Sequence, residues 1–213
     1  MTKYLFILLI AYLPIVSCGQ IKVKESKDLI IDTNIKSEVE KHIESSKEFN
    51  VLNDKMQVYN NSVIGDFYEN NKIVFTSNNK AIKRVFKSFY YWKGDTLKID
   101  GAFGLFTGFG FTLKLYKNKA TLYHLLSSDE SPAYAYKEKD SLTFRLEVLC
   151  TNTKIVISEI PDSSKKQVIY GYVEFHSGDY YAIEGSSNGR EELPRKKVRA
   201  NMKIYFKSSK LGL

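Results

Sequence analysis

Residues 195–206 read Arg-Lys-Lys-Val-Arg-Ala-Asn-Met-Lys-Ile-Tyr-Phe. From Val198 onward, Val198, Ala200, Met202, Ile204 and Phe206 alternate with Arg199, Asn201 and Lys203, while Lys197 precedes them on the polar set. Successive side chains of a strand point to opposite faces, so this period of two describes a strand with one apolar face and one wet face. Residues 169–175 repeat it through Ile169, Gly171, Val173 and Phe175. The connection between them, Glu184–Arg195, is polar and contains Gly and Ser, which predicts a long surface loop.

Further toward the N-terminus the same period recurs. Lys93-Gly94-Asp95 divides Val85–Trp92 from Thr96–Asp100, and Lys117-Asn118-Lys119 divides Phe111–Tyr116 from Ala120–Leu126. Each reads as a three-residue hairpin loop. Thr151-Asn152-Thr153 between Leu142–Leu149 and Lys154–Ile160 reads as a third. In the region 55–75, Met56–Tyr59, Val63–Tyr68 and Lys72–Phe75 are short strand candidates divided by Asn-rich turns, or the first extends a preceding helix. That helix is signalled by Ile35, Val39 and Ile43 at four-residue spacing. It is predicted over about Asn34–Lys47, with Asp32, Thr33 or Asn34 as its cap and its narrow stripe packed on the body.

These elements amount to about nine to eleven antiparallel strands in meander order after one helix. Short links leave no room for crossover helices, and 15 Tyr, 13 Phe and only 4 Pro suit pleated sheet. The fold class is therefore mainly β: an antiparallel meander barrel that resembles the lipocalin-like folds in strand pattern only, or a two-sheet sandwich.

Candidate contact residues are aromatic. The segment Gly101–Phe111 interleaves Gly101, Gly104, Gly108 and Gly110 with Phe103, Phe106, Phe109 and Phe111. It lacks the spacing of a phosphate-binding or dinucleotide-binding loop. Either it is an apolar lip through which Phe103, Phe106 and Phe109 touch a hydrophobic ligand, or its glycines curve a sheet while its phenylalanines fill the core. Phe89-Tyr90-Tyr91-Trp92 sets two aromatics on each face of a strand, with Trp92 a further possible contact.

Catalytic patterns are missing from the sequence. His42, His124 and His176 form no metal-ligand spacing; His124 and His176 read as partly exposed strand residues that folding would have to bring to Glu174 or Asp179. Cys150 follows Leu142, Phe144, Leu146 and Val148 and reads as a buried thiol on their inward face. The acid pairs Asp129-Glu130 and Glu191-Glu192 lie in predicted loops, and no serine occupies a nucleophile elbow. Nothing here implies a catalytic residue, a metal or a cofactor. The net charge of +8 is spread along the chain, with one dense cluster at Arg195-Lys196-Lys197 and Arg199.

The N-terminus gives an address. Lys3 precedes the apolar run Tyr4–Val16, broken only by Pro14 and followed by Ser17-Cys18-Gly19, the layout of an export signal. Thirteen residues fall short of the roughly 20 a membrane-spanning helix needs. Ile15-Val16-Ser17-Cys18 resembles the lipobox of bacterial lipoproteins of the Bacteroidetes kind, although the acidic cluster of their surface-export signal does not follow it. The resemblance implies that residues 1–17 are a signal peptide and that Cys18 carries the acyl chains; residues 18–33 then read as a tether, and length and strand pattern make residues 34–213 one β-rich domain. The resemblance also implies a lipid-anchored, periplasm-facing outer-membrane address. Ordinary cleavage after Gly19 would instead leave a soluble periplasmic or secreted protein.

Two functional readings follow: a non-catalytic module that binds a hydrophobic or amphipathic small molecule inside a barrel, or a structural lipoprotein that contacts an envelope protein. A hydrolase of unrecognised type stands third, and an exported chain is not expected to meet nucleic acid. Mass spectrometry of the mature N-terminus is expected to show an acylated peptide beginning at Cys18. A peptide beginning at unmodified Gln20 would overturn that expectation.

Overall fold

The longest pairing in the chain joins β10 (Val168–Ile183) to β11 (Arg195–Lys210), in register from Val168 opposite Ser209 to Ile183 opposite Arg195. The computed structural model describes residues 29–45, 62–76, 86–103, 108–117, 119–183 and 194–211. Ahead of that hairpin come β1 (Leu29–Ile31), α1 (Ile35–Ser45), β2 (Ser62–Glu69), β3 (Lys72–Thr76), β4 (Phe86–Lys93) and β5 (Thr96–Phe103). These are followed by β6 (Gly108–Tyr116), β7 (Lys119–Ser127), β8 (Tyr134–Ala135) and β9 (Arg145–Ile157). The candidate strand Met56–Tyr59 and the loop residues 184–193 lie outside the described residues.

The sheet order is β3-β2-β11-β4-β5-β6-β7-β9-β10-β8, and β10 also pairs with β11. Strand pairing therefore runs in a ring from β11 through β4, β5, β6, β7, β9 and β10 back to β11, which is consistent with a barrel or a sandwich. Among the described residues the chain is mainly β with one short helix, the class that its strand alternation and the four-residue spacing of its helix predict. Two pairings depart from the antiparallel expectation: β1 runs parallel to β9, and Ser209-Lys210 of β11 runs parallel to Phe89-Tyr90 of β4. The first also takes Leu29–Ile31 out of the stretch read as a tether.

Ring closure depends on β11 using both edges. One edge pairs with β10 throughout; the other is divided between β2 at residues 200–207 and β4 at its last two residues. The β4–β5 turn holds Gly94 at φ 57° between the paired Lys93 and Thr96, so the loop is two residues long and not three.

The third predicted hairpin does not form. Thr151-Asn152-Thr153 stays inside β9, where Asn152 adopts φ 48° and two residues, Asn152 and Thr153, oppose the single Phe175. This is a bulge, and it shifts the inward set from Leu146, Val148 and Cys150 to Ile155 and Ile157. Strand β10 has a second bulge, in which Ser177 and Gly178 oppose Ala200. There the Ser177 hydroxyl accepts the Ala200 N–H at 2.8 Å, replacing a lost ladder bond. Its inward set changes from Ile169, Val173 and Phe175 to Tyr180. Without these insertions, half of each strand would present its apolar side chains to water.

Inside the ring, two phenylalanines lie over two glycines. Gly101 is directly opposite Phe111, and Gly171 directly opposite Phe206. A Cβ on Gly101 would fall 2.9 Å from Phe111 Cζ, and one on Gly171 would fall 2.7 Å from Phe206 Cε1. The two rings meet at a centroid distance of 5.2 Å. At one end Tyr90 is buried, donating its hydroxyl to Gln167 O at 3.0 Å and accepting Gln167 N–H at 3.1 Å.

On the outside, α1 lays Ile35 and Val39 against Val156 and Tyr170, with Tyr172 and Tyr205 packed alongside. The helix therefore covers the sheet, as its narrow stripe predicts. Asp32 Oδ1 accepts the Asn34 N–H at 2.9 Å just before its first turn.

Gly101→Ala is expected to destabilise the fold by ~1–3 kcal/mol through overpacking, and Phe111→Ala by ~3–5 kcal/mol through cavity formation. The double variant should cost measurably less than the sum, because removing the ring frees the space the methyl needs. Denaturant unfolding of all three variants checks this, and simple additivity would contradict the ring-on-glycine contact.

Candidate binding groove

The aromatic residues singled out by the sequence do not form one lip. Phe103 is buried and stacks on the partly buried Phe109 at 5.3 Å, and Phe109 stacks on Phe67 at 4.2 Å. Trp92 lies opposite Leu97, at the other end of β5 from Phe103. Six residues of strand separate these levels by about 20 Å. The structure thus buries Phe103 in the core and packs Phe109 and Trp92, each partly buried, against it at opposite ends. Phe106 and Cys18 lie outside the described residues.

The histidines also part. Contrary to expectation, His124 is fully buried, because Leu122, His124 and Leu126 form the inward set of β7. Its Nδ1 lies 3.0 Å from Gly110 O, which can only accept, so Nδ1 carries the proton and Nε2 keeps a lone pair. That Nε2 has no hydrogen-bond partner, and the centroid of the imidazole ring lies 5.7–6.1 Å from those of Phe67, Phe175 and Tyr180. Burial lowers its pKa to about 4, against the smaller effect of the Gly110 bond. Cys150 is buried on the same inward face as Leu146 and Val148, and burial holds its thiol well above the ordinary range, leaving little thiolate. Leu142 and Phe144 precede β9, and Phe144 is half exposed, so neither extends that face.

His176 is on the opposite, outer surface, where polar side chains of β10, β11 and β2 converge. Antiparallel register sets them in two neighbouring rows. In one row His176 faces Asn201 and Asn201 faces Tyr68; in the next Lys154 faces Glu174, Glu174 faces Lys203, and Lys203 faces Asp66. A groove of about 370 Å³ lies over these rows, lined by Tyr68, Asn71, Glu174, His176, Asn201 and Lys203 together with Phe175 and Met202. Beyond the second row Tyr172 and Tyr205 are packed beneath α1, where the Tyr205 hydroxyl donates to Glu38 and its ring stacks on His42 at 4.0 Å.

The far end is held by the β2–β3 turn. Asn70 and Asn71 adopt φ 47° and 65°, the left-handed pair that a two-residue hairpin of this hand requires and asparagine tolerates. Asn70 then continues the ladder onto β11: its backbone N–H donates to Arg199 O at 2.9 Å, and its Oδ1 accepts the Arg199 N–H at 3.0 Å. Asn71 Oδ1 accepts Asn201 Nδ2 at 3.0 Å.

Charge within the groove is balanced. Glu174 accepts the Tyr172 hydroxyl at 2.8 Å and pairs with Lys203 at 3.3 Å. Burial would raise its pKa, but the Tyr172 hydroxyl, Lys203 and Lys154 together bring it below the ordinary carboxylate value. Two buried acceptor oxygens, Asp66 Oδ1 and Asn201 Oδ1, have no hydrogen-bond partner. Asp179 is not part of the site: it pairs with Lys197 at 2.8 Å and Arg199 at 2.7 Å. Arg195 donates to Glu138 O and Asp140 O, so the dense basic cluster is largely engaged within the chain. Asp129 and Glu130 are exposed, whereas Glu191 and Glu192 lie outside the described residues.

Among the described residues no three His, Cys, Asp or Glu side chains gather for a metal ion, and no helix is long and apolar enough to cross a membrane. No family model, curated protein or solved structure matches this chain.

His124 gives a pH signature. The folded state resists protonation down to about pH 4, while the unfolded chain takes up a proton near 6.5, so stability falls as pH drops through that window. The full loss is about 3 kcal/mol. Urea unfolding from pH 7 to 4 is expected to show this loss in the native protein and a smaller one in His124→Phe.

Proposed function

We propose that this protein is an exported, lipid-anchored binding module of the envelope, without catalysis of its own, that holds its ligand on the outer face of the sheet. The observation that carries this reading is the contrast between the two faces. A chamber able to take a ligand would leave the side chains around it accessible, yet Tyr90, Phe103, Phe111, Leu113, Ile155, Phe175 and Phe206 are each less than 2% exposed. The open groove with its converging polar groups lies outside. The expectation of a hydrophobic small molecule within the ring therefore gives way to binding on the surface.

A non-catalytic role suits the state of Glu174. General acid–base work favours a group whose pKa lies near the operating pH, and Glu174 is held in the opposite direction. The anchor rests on the resemblance of Ile15-Val16-Ser17-Cys18 to a lipobox, with the outer-membrane, periplasm-facing address it implies. An envelope protein partner is a second reading, favoured by β3. This strand pairs with β2 on one edge and exposes Ile73 and Val74, features of an edge able to accept another strand.

Photo-crosslinking in intact cells tests the surface reading. A benzophenone amino acid in place of Tyr68 is expected to capture a ligand or partner, and the same group in place of Trp92 is not. Adducts at Trp92 alone would favour a site within the ring. Cys18→Ala is expected to move the protein out of the membrane fraction.

A further inference from the structure

We propose that the end of the ring carrying the β4–β5 and β6–β7 turns is a docking face that rests on a bilayer containing anionic phospholipid. This inference rests on the lipid-anchored reading and deepens it by naming the surface that meets the membrane.

Strand direction gathers this face. Neighbours in the ring are antiparallel except at the β4–β11 seam, so β4, β6, β9 and β11 all end there. Four segments therefore share one end: the turns at Gly94 and Lys117, the connection 158–167 and the chain after Lys210. The last two are tied to the body. Lys210 Nζ donates to Ser163 O at 2.7 Å, and the Leu211 N–H donates to Tyr90 O at 2.8 Å.

The side chains on this end suit an interface. Tyr116, Ile160 and Leu211 are exposed on it, and Ile31, opposite the last residue of β9, is exposed at its rim. One exposed apolar side chain needs no explanation, but several gathered at one end do. Lys117 Nζ lies 5.1 Å from the centroid of the Tyr116 ring. Such amphipathic side chains set their apolar bodies into a headgroup layer and keep their polar tips in water.

Charge distinguishes the two ends. Lys93, Lys117 and Lys119 outnumber Asp95 on the two turns, while Lys165 and Lys166 balance Glu159 and Asp162 in the connection 158–167. At the opposite end, residues 128–144 also expose apolar groups, Tyr136 and Phe144. There, however, Asp129, Glu130, Glu138 and Asp140 stand against Lys137 and Lys139. An anionic bilayer attracts the first end and repels the second.

The point of attachment agrees. The chain from Cys18 to Leu29 can extend at most about 40 Å, and β1 joins the body beside the last three residues of β9, near the docking end. Acyl chains hold a protein at a bilayer without orienting it; this face supplies the orientation. The groove stays clear, because its Asn71 sits on the β2–β3 turn, where Glu69 pairs with Ala200 and not with the last residues of β11.

The test uses the full mature chain in vesicles of phosphatidylcholine with increasing phosphatidylglycerol. An environment-sensitive fluorophore is placed through Tyr116→Cys or, as the control, Phe144→Cys; the native Cys150 is buried. Emission at position 116 is expected to shift to the blue as phosphatidylglycerol rises, and emission at 144 to stay constant. Lys117→Asn should lower the docking equilibrium constant by about fivefold. Asparagine tolerates the positive φ of this turn, and melting temperatures establish that each chain folds. Should Tyr116→Cys fail to fold, Leu211→Cys carries the label instead.

No shift at 116 in protein that stays with the vesicles would overturn the docking face and leave the anchor intact. Equal shifts at 116 and 144, or a shift as large on phosphatidylcholine alone, would overturn it too. A shift that appears only when an envelope protein extract is added would assign the face to a protein partner and reject the proposal. A mature chain without acyl groups that still gives the shift on added anionic vesicles would reject the anchor and retain the docking face.

Discussion

The contact between Phe111 and Phe206, each lying over a glycine of its neighbouring strand, governs what this fold can do. Strands on different sides of a ring must be bridged by side chains long enough to meet, and neighbouring rings must not obstruct them. Gly101 and Gly171 yield the volume that the two rings occupy. The rings then span the interior and touch at 5.2 Å. Aromatic packing over glycine is a recognised way to stabilise a curved sheet that glycine would otherwise weaken. Here it also consumes the central volume that related architectures leave for a cargo. A filled centre is what the proposed surface site rests on.

What the surface offers follows from the double use of β11. A strand that only closed a ring would carry one neighbour on each edge along its whole length. Because β4 takes just its last two residues, β2 can pair with residues 200–207, and β3 extends that sheet further. The result is a broad patch of β10, β11, β2 and β3 whose outer rows mix charges, amides and rings. α1 covers one side of this patch, and the asparagine turn closes the other. Closure inside and a groove outside thus share one cause.

Much of this architecture was legible in sequence because β10 and β11 alternate without interruption over their apolar sets. The positions of the Gly94 and Lys117 turns were equally readable, but not their length: Lys93 pairs with Thr96 and Tyr116 with Lys119, so each loop has two residues and not three. Strand β9 was not, since Thr-Asn-Thr suits both a hairpin turn and a bulge: Asn152 adopts a left-handed conformation in either. Only a partner strand, here Phe175 opposite two residues, decides between them. His124 was misread because β7 has apolar residues at both parities, Leu122 and Leu126 on one and Tyr123 and Leu125 on the other. The groove was the least visible feature. Its Asn71–Asn201 bond joins residues 130 apart, and local periodicity carries no information about which outward rows become neighbours.

Charge on the described surface of this basic chain is largely engaged within the chain itself. The densest positive cluster is satisfied internally, with Lys197 and Arg199 on Asp179 and Arg195 on two loop carbonyls. Other lysines lie over tyrosine rings, as Lys114 does over Tyr123 at 4.1 Å and Lys36 and Lys207 do over Tyr170 at 5.5 Å. Such cation–π contacts set these ammonium groups against aromatic faces. In the Glu174–Lys203 row the charges likewise alternate and cancel, Lys154 and Lys203 against Glu174 and Asp66.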